Sequence, residues 1–326
     1  MDFKLFHSQS LVIDTHCDTI LKMVNSSDAY DIKQYHAHEN HVDIPRLRIG
    51  GVKVQFFACY IEAQYKPDRS LKRTLEIFDT FYRTLEENAP DLHQILNSGD
   101  VQVALAENKI GALLAVEGGE ALEGDIRILR MLHRLGVRSI GLTWNERNQI
   151  AEGVGECRSG SKLTEFGVQV IEEMNRLGII VDVSHISEPG FWDVLAVTKK
   201  PIIASHSNSK QICNHRRNLT DAQIIALAKN GGVMGMNMAA EFVHESEEPT
   251  IEHVVDHIEH IIGLVGSKHV GIGADYDGIT LAAKGLEDVS KIPALTEAMY
   301  RRKFSEDQIR DVLGLNFMRV INEVLK

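Results

Sequence analysis

The sequence predicts a (β/α)8 barrel of the TIM type, one domain over residues 1–326 with a closing C-terminal helix. Three observations lead there. Eight short, apolar, β-branched runs recur along the chain, stretches of helical period follow most of them, and the chemically unusual residues sit where the runs end. Continuous apolar runs of this length suit strands buried on both faces, as in a parallel sheet, whereas half-buried strands would alternate. Eight strand-then-helix units favour a closed barrel over an open doubly wound sheet, which more often has roughly five to seven strands.

The runs, in order, are Leu11 to Thr15, Val52 to Tyr60, Gly111 to Glu117, Val137 to Trp144, Ile179 to Ser184, Pro201 to Ser205, Gly232 to Asn237 and Val270 to Ala274. Helical period marks Ser70 to Asn97, Asp125 to Leu135, Glu165 to Leu177, Glu188 to Thr198, Asp221 to Asn230 and Thr250 to Val265. Thr220-Asp-Ala-Gln reads as a capping box, and Thr164 stands before Glu165 as an N-cap. Leu177-Gly178 and Asn230-Gly231 read as glycine C-caps. From Ser305, acidic residues followed by Ile309, Val312, Leu313 and Phe317 give the closing helix. Val24 to His41 and Glu146 to Lys162 fit neither period and are expected as long loops after the first and fourth strands, where function concentrates.

Composition narrows the function. With 35 Lys+Arg against 46 Asp+Glu, the net charge is −11. No basic arm is present to neutralise phosphates, so nucleic acid is not expected as a partner. Four dispersed cysteines, Cys17, Cys59, Cys157 and Cys213, form no C-x-x-C pair and suggest neither a disulfide framework nor a thiolate zinc site. Nowhere do ~18 consecutive apolar residues occur. A soluble, cytoplasmic protein without a membrane partner is expected. Fifteen histidines are the compositional oddity.

Their placement gives that excess a meaning. The first run ends in Asp14-Thr15-His16-Cys17-Asp18, the third in Glu117-Gly118-Gly119, the fifth in Asp182-Val183-Ser184-His185, the sixth in Ser205-His206-Ser207 and the eighth in Asp275-Tyr276-Asp277-Gly278. A barrel gathers the carboxyl ends of its strands at one mouth, where active sites of this fold are built. Imidazole and carboxylate without thiolate suit Zn²⁺ or Mn²⁺. His16 and Asp18, two apart, make half a site. His185 and His206 make the other half. Glu117 lies between the pairs, placed to bridge two ions about 3.5–4 Å apart, with Asp275 as proton shuttle. Several buried carboxylates without a compensating cation would be costly, which favours metal over isolated structural histidines.

Most of the remaining histidines read as surface residues. His36, His38 and His41 fall in the polar loop, while His253, His257 and His260 lack the H-E-x-x-H arrangement and are expected as an exposed stripe. Cys17 should point away from its neighbours and pack. No P-loop, nucleophile elbow or clean dinucleotide fingerprint is present.

Taken together, the strand-end motifs, with Arg216-Arg217-Asn218, resemble the membrane (renal) dipeptidase family, peptidase family M19. The likeness spans residues 11 to 278 and continues into the tail. It implies an amidohydrolase-like barrel with a binuclear zinc centre, two Zn²⁺ per subunit, acting on dipeptide substrates through a metal-activated hydroxide and often tolerating a D-configured second residue. By position, it implies His16 and Asp18 on one zinc, His185 and His206 on the other, Glu117 bridging and Asp275 as the proton-transferring acid. Arg217 would bind the substrate's terminal carboxylate with its planar fork. A homodimer is also implied.

One departure concerns the fourth strand, where many mammalian members have Leu-Thr-His. Here Leu142-Thr143 leads into Trp144-Asn145. Trp144 would line the pocket or belong to the core, and Asn145 would supply the substrate hydrogen bond. Fold and metal set do not fix the substrate. An N-acyl amino acid deacylase or lactonase on the same site, or a non-catalytic metal-binding barrel, therefore stays open.

Overall fold

The computed structural model describes residues 3–26, 31–35, 40–156, 158–246 and 248–326. Cys157, His36 and His38 lie outside them. Among the described residues there are nine strands: β1 (Val12–Cys17), β2 (Val52–Tyr60), β3 (Leu92–Gln94), β4 (Ile110–Glu117), β5 (Val137–Gly141), β6 (Ile180–Asp182), β7 (Ile203–Ala204), β8 (Val233–Met236) and β9 (Val270–Ile272). Every pairing among these strands is parallel. Eight strands, in the order β1-β2-β4-β5-β6-β7-β8-β9, close into a barrel. Short β3 pairs only the first residues of β4, below the stretch that β5 takes.

Register places the chemistry. Tyr60 aligns with Glu117, Glu117 with Gly141 and Gly141 with Asp182, so the ends of four neighbouring strands stand level at one mouth. Inside the barrel the backbones approach closely. A Cβ on Gly273 would sit 1.6 Å from the Ser205 carbonyl oxygen, so only glycine fits there. That same oxygen accepts from Thr15 Oγ at 2.7 Å, locking the crossing.

Apolar side chains fill two regions. A large one lies among strands and surrounding helices and includes Val12, Phe57, Leu114, Ile140, Val170 and Leu227. The other joins Ile13, Val54, Phe56, Ile180 and Ile203 to Phe317, Val320 and Ile321 of the last helix, Asn316–Val324. Burying each such large side chain contributes about 1.5–3 kcal/mol.

The predicted caps form as read. Thr220 and Gln223 make a reciprocal capping box, Thr164 accepts from Gly167 N, and Gly178 adopts the left-handed conformation. Several boundaries differ. The segment Ser70 to Asn97 is not one helix but a helix, Ser70–Glu87, followed by β3. Pro90 cannot continue the helix, and a second capping box at Asn97–Asp100 opens the helix Ser98–Ala106. The run expected over Val137 to Trp144 is a strand, β5, only as far as Gly141, and the closing helix is interrupted by a π-helical turn, Asp311–Leu315. An N-terminal helix, Phe3–Gln9, was not foreseen.

His257 corrects the expected exposed stripe. It is fully buried, its Nδ1 accepting from Ser209 N at 3.0 Å and its Nε2 donating to the Val243 carbonyl at 2.7 Å. His253 caps its own helix by accepting from Thr250 N, and His260 pairs with Asp221. His41 is part-buried, its Nδ1 accepting from Asp277 N at 2.9 Å. No helix among the described residues is long and apolar enough to cross a membrane.

Candidate metal centre

Each candidate ligand stands on or just beyond a strand end. His16 is on β1 and Glu117 ends β4, while His185 and His206 follow β6 and β7. Asp18 follows β1, its N–H donating to the Tyr276 carbonyl at 2.9 Å. The Asp14 carboxylate ties β1 to β9 by accepting from Ala274 N at 2.9 Å, and burial pushes its pKa up to about 6. His185 and Asp275 adopt positive φ, 68° and 64°. Such backbone is sparsely populated for non-glycine residues and recurs where a side chain must be aimed at a site.

The five predicted ligands and Asp275 converge. His16 Nε2 lies 3.3 Å from Asp18 Oδ2, 3.6 Å from Glu117 Oε2 and 3.8 Å from Asp275 Oδ1. The other Glu117 oxygen, Oε1, lies 2.9 Å from His185 Nε2 and 3.6 Å from His206 Nε2. Glu117 therefore divides its two oxygens between the two halves of the site. Ligand atoms of His16, Glu117 and His206 form one close triad, and those of His16, Asp18 and Asp275 another.

Outer partners fix the rings. His185 Nδ1 is 2.9 Å from Asn145 Oδ1, and since an amide oxygen only accepts, Nδ1 carries the proton. His206 Nδ1 lies 2.8 Å from Ser205 Oγ, whose hydroxyl donates to Asp182. Asp182 also accepts from Ser184 N and Ser205 N. Both histidines are thereby left with Nε2 as the free lone pair, the usual way ligating histidines are oriented. Asn237 Nδ2 donates to Asp275 Oδ2 at 2.7 Å.

Burial and mutual charge shape the electrostatics of the site. Burial opposes charge on His16, yet Glu117 and Asp18 outweigh it and hold its pKa well above the usual imidazole value. Burial lowers His185 to about 3, with Arg217 adding to the effect, and drives His206 well down also. For Asp275, burial raises the pKa to about 7 despite His16. Glu117, though buried, is held below the usual carboxylate range by His16 and His185. His16 Nε2 is buried and makes no hydrogen bond, although three carboxylates surround it. A divalent metal would satisfy that orphaned nitrogen and the carboxylates together, so the donor set fits the metal its residue types predict.

The site opens into a cavity of about 700 Å³ whose lining includes Tyr60, Glu117, Trp144, Asn145, Arg217 and Asp275. Trp144 lines the cavity and stacks on His185 at 5.8 Å between ring centroids. Asn145 lines it as well, but its carbonyl oxygen is taken up by His185. Arg217 is buried, donates from Nη2 to the His206 carbonyl at 3.0 Å, and has no carboxylate within 4.0 Å among the described residues. Asn237, Ser205 and Asp182 were missed as functional partners. Asp182 and Ser205 stand in the strand-end motifs, and a polar residue closing an apolar run was the available clue for Asn237.

A closed (β/α)8 barrel with a histidine–carboxylate centre at its carboxyl mouth defines a metal-dependent hydrolase. The sequence model of the membrane dipeptidase family, peptidase family M19, matches residues 2–326, and the chain belongs to that family. It is thus a metallodipeptidase. An uncharacterized dipeptidase of Schizosaccharomyces pombe is 36% identical over 338 residues, covering 98% of this chain and 81% of the relative. The crystal structure of a metallopeptidase of family M19, dipeptidase AC, superposes with a TM-score of 0.91 at 28% identity, over 97% of this chain and 99% of that one. A metallopeptidase from Rhodobacter sphaeroides, liganded with a phosphinate mimic of the dipeptide L-Ala-D-Ala, gives a TM-score of 0.91 at 27% identity, over 97% and 100% of the two chains.

Proposed function

We propose that the protein is a binuclear zinc dipeptidase that accepts dipeptides with a D-configured C-terminal residue. The observation that carries this reading is the division of Glu117, one oxygen towards His16 and the other towards His185 and His206. Asp18 completes the first set. When bound, two zinc ions supply Lewis acidity and an ionised water at neutral pH.

The chain's own residues do the rest. Arg217, a buried guanidinium without a carboxylate within 4.0 Å among the described residues, receives the substrate's terminal carboxylate and thereby limits length to two residues. Asp275, held by Asn237 and with its pKa raised towards neutrality, takes a proton from the attacking water and delivers it to the leaving amine. Tolerance of a D-residue is supported by the Rhodobacter sphaeroides relative, liganded with a mimic of L-Ala-D-Ala.

A panel of dipeptides with L- and D-configured C-terminal residues, assayed on the zinc-loaded protein beside N-acyl amino acids and lactones, tests the reading. Both dipeptide series are expected to be cleaved. Turnover confined to N-acyl amino acids or lactones would replace it with a deacylase or lactonase.

A further inference from the structure

Lys66 follows β2 and is not itself part of the cavity wall, yet four groups around the mouth meet at its ammonium. Its Nζ lies 3.2 Å from Glu120 Oε1, beyond β4, and 3.1 Å from Glu146 Oε2, beyond β5. The same Nζ lies 5.2 Å from the Tyr60 ring centroid and 5.4 Å from that of Trp144, within cation–π range of both. Those rings pack on each other at 5.1 Å, and Trp144 continues the stack onto His185. Only 14% of the Lys66 side chain and 7% of the Glu120 side chain are exposed. The ion pair is therefore desolvated, and the ammonium is held from behind the aromatic wall.

The wall occupies a definite side of the cavity. Tyr60 and Trp144 belong to the β2–β4–β5 side of the ring, whereas Arg217 and Asp275 follow β7 and β9 on the other. A dipeptide whose carboxylate meets Arg217 and whose peptide carbon lies at the centre extends its N-terminal residue towards Tyr60 and Trp144. We propose, on the reading of the site given above, that Lys66 is a positioning residue. It clamps the Tyr60–Trp144 wall and so sets the size of the N-terminal side chain the enzyme accepts. The C-terminal residue lies outside its reach.

The test uses zinc-loaded Lys66→Met/Glu120→Gln, in which no buried carboxylate is stranded, beside Lys66→Arg, which keeps the charge. Two substrate series are assayed, one varying the N-terminal residue from Gly through Ala to Phe, the other varying the C-terminal residue likewise. The expected result is a change of roughly tenfold in the Phe-to-Gly ratio of kcat/KM for the N-terminal series, carried by KM, with the C-terminal series and zinc content unmoved and the wild-type ratio kept in Lys66→Arg. An unchanged N-terminal ratio in the folded, zinc-loaded double variant, or equal movement of both series, overturns the proposal alone. A wild-type protein that cleaves no dipeptide overturns it together with the dipeptidase reading.

Discussion

Asn145 Oδ1 accepts a hydrogen bond from His185 Nδ1 at 2.9 Å, which presents His185 Nε2 to Glu117. The residue expected to touch substrate thus also orients a candidate ligand. Replacing Asn145 with Ala frees the ring to rotate and to exchange tautomers. Metal affinity, measured by competition with a chromogenic chelator, is expected to fall about 10- to 100-fold. An affinity equal to wild type would return Asn145 to substrate binding alone.

Asp275→Asn keeps the acceptor for Asn237 and the shape of the site but cannot carry a proton. kcat on a dipeptide should fall by roughly 10²- to 10⁴-fold, with metal content by elemental analysis unchanged. Full turnover in this variant would exclude Asp275 as the proton carrier.

On the proposed reading, Arg217 acts on binding. Arg217→Lys keeps the charge and loses the fork, so KM for dipeptides should rise about tenfold or more while kcat changes less. Dipeptide amides, which have no terminal carboxylate, should scarcely distinguish the two proteins. A variant whose KM is unaltered would assign the carboxylate to another residue.

Burial lowers the His257 pKa from 6.5 to about 4, against the opposing hydrogen bond to Val243. Between those values the unfolded chain binds more protons than the folded one, so stability is full above pH 6.5 and declines as pH falls towards 4. The loss from this group amounts to roughly 3 kcal/mol, at about 1.4 kcal/mol per unit. Denaturant melts of wild type and His257→Gln should therefore converge as pH drops from 7 to 4.5. A constant gap across that range would show that His257 does not titrate with folding.

Much of this was legible in the chain because a barrel converts sequence into place. The apolar runs ending in His16, Glu117, His185, His206 and Asp275 needed only parallel closure to meet, and the register Tyr60–Glu117–Gly141–Asp182 provides it. What was not legible depends on side-chain direction across elements. His257 shares its helical spacing with two more accessible histidines, and only the chain around Ser209 and Val243 buries it. The Asp182–Ser205–His206 relay and the ammonium of Lys66 behind Trp144 join residues at or beyond the ends of different strands, for which local period carries no information. Asn88 to Asn97 was absorbed into the expected helix, although the helix ends at Glu87 and β3 occupies Leu92–Gln94.

Titration of the metal-free protein with zinc, following hydrolysis of Ala-D-Ala, tests the two-ion centre divided by Glu117 most directly. Activity should be absent after chelation and reach its plateau at two equivalents per chain. A plateau at one equivalent, or turnover that survives complete removal of metal, would contradict it.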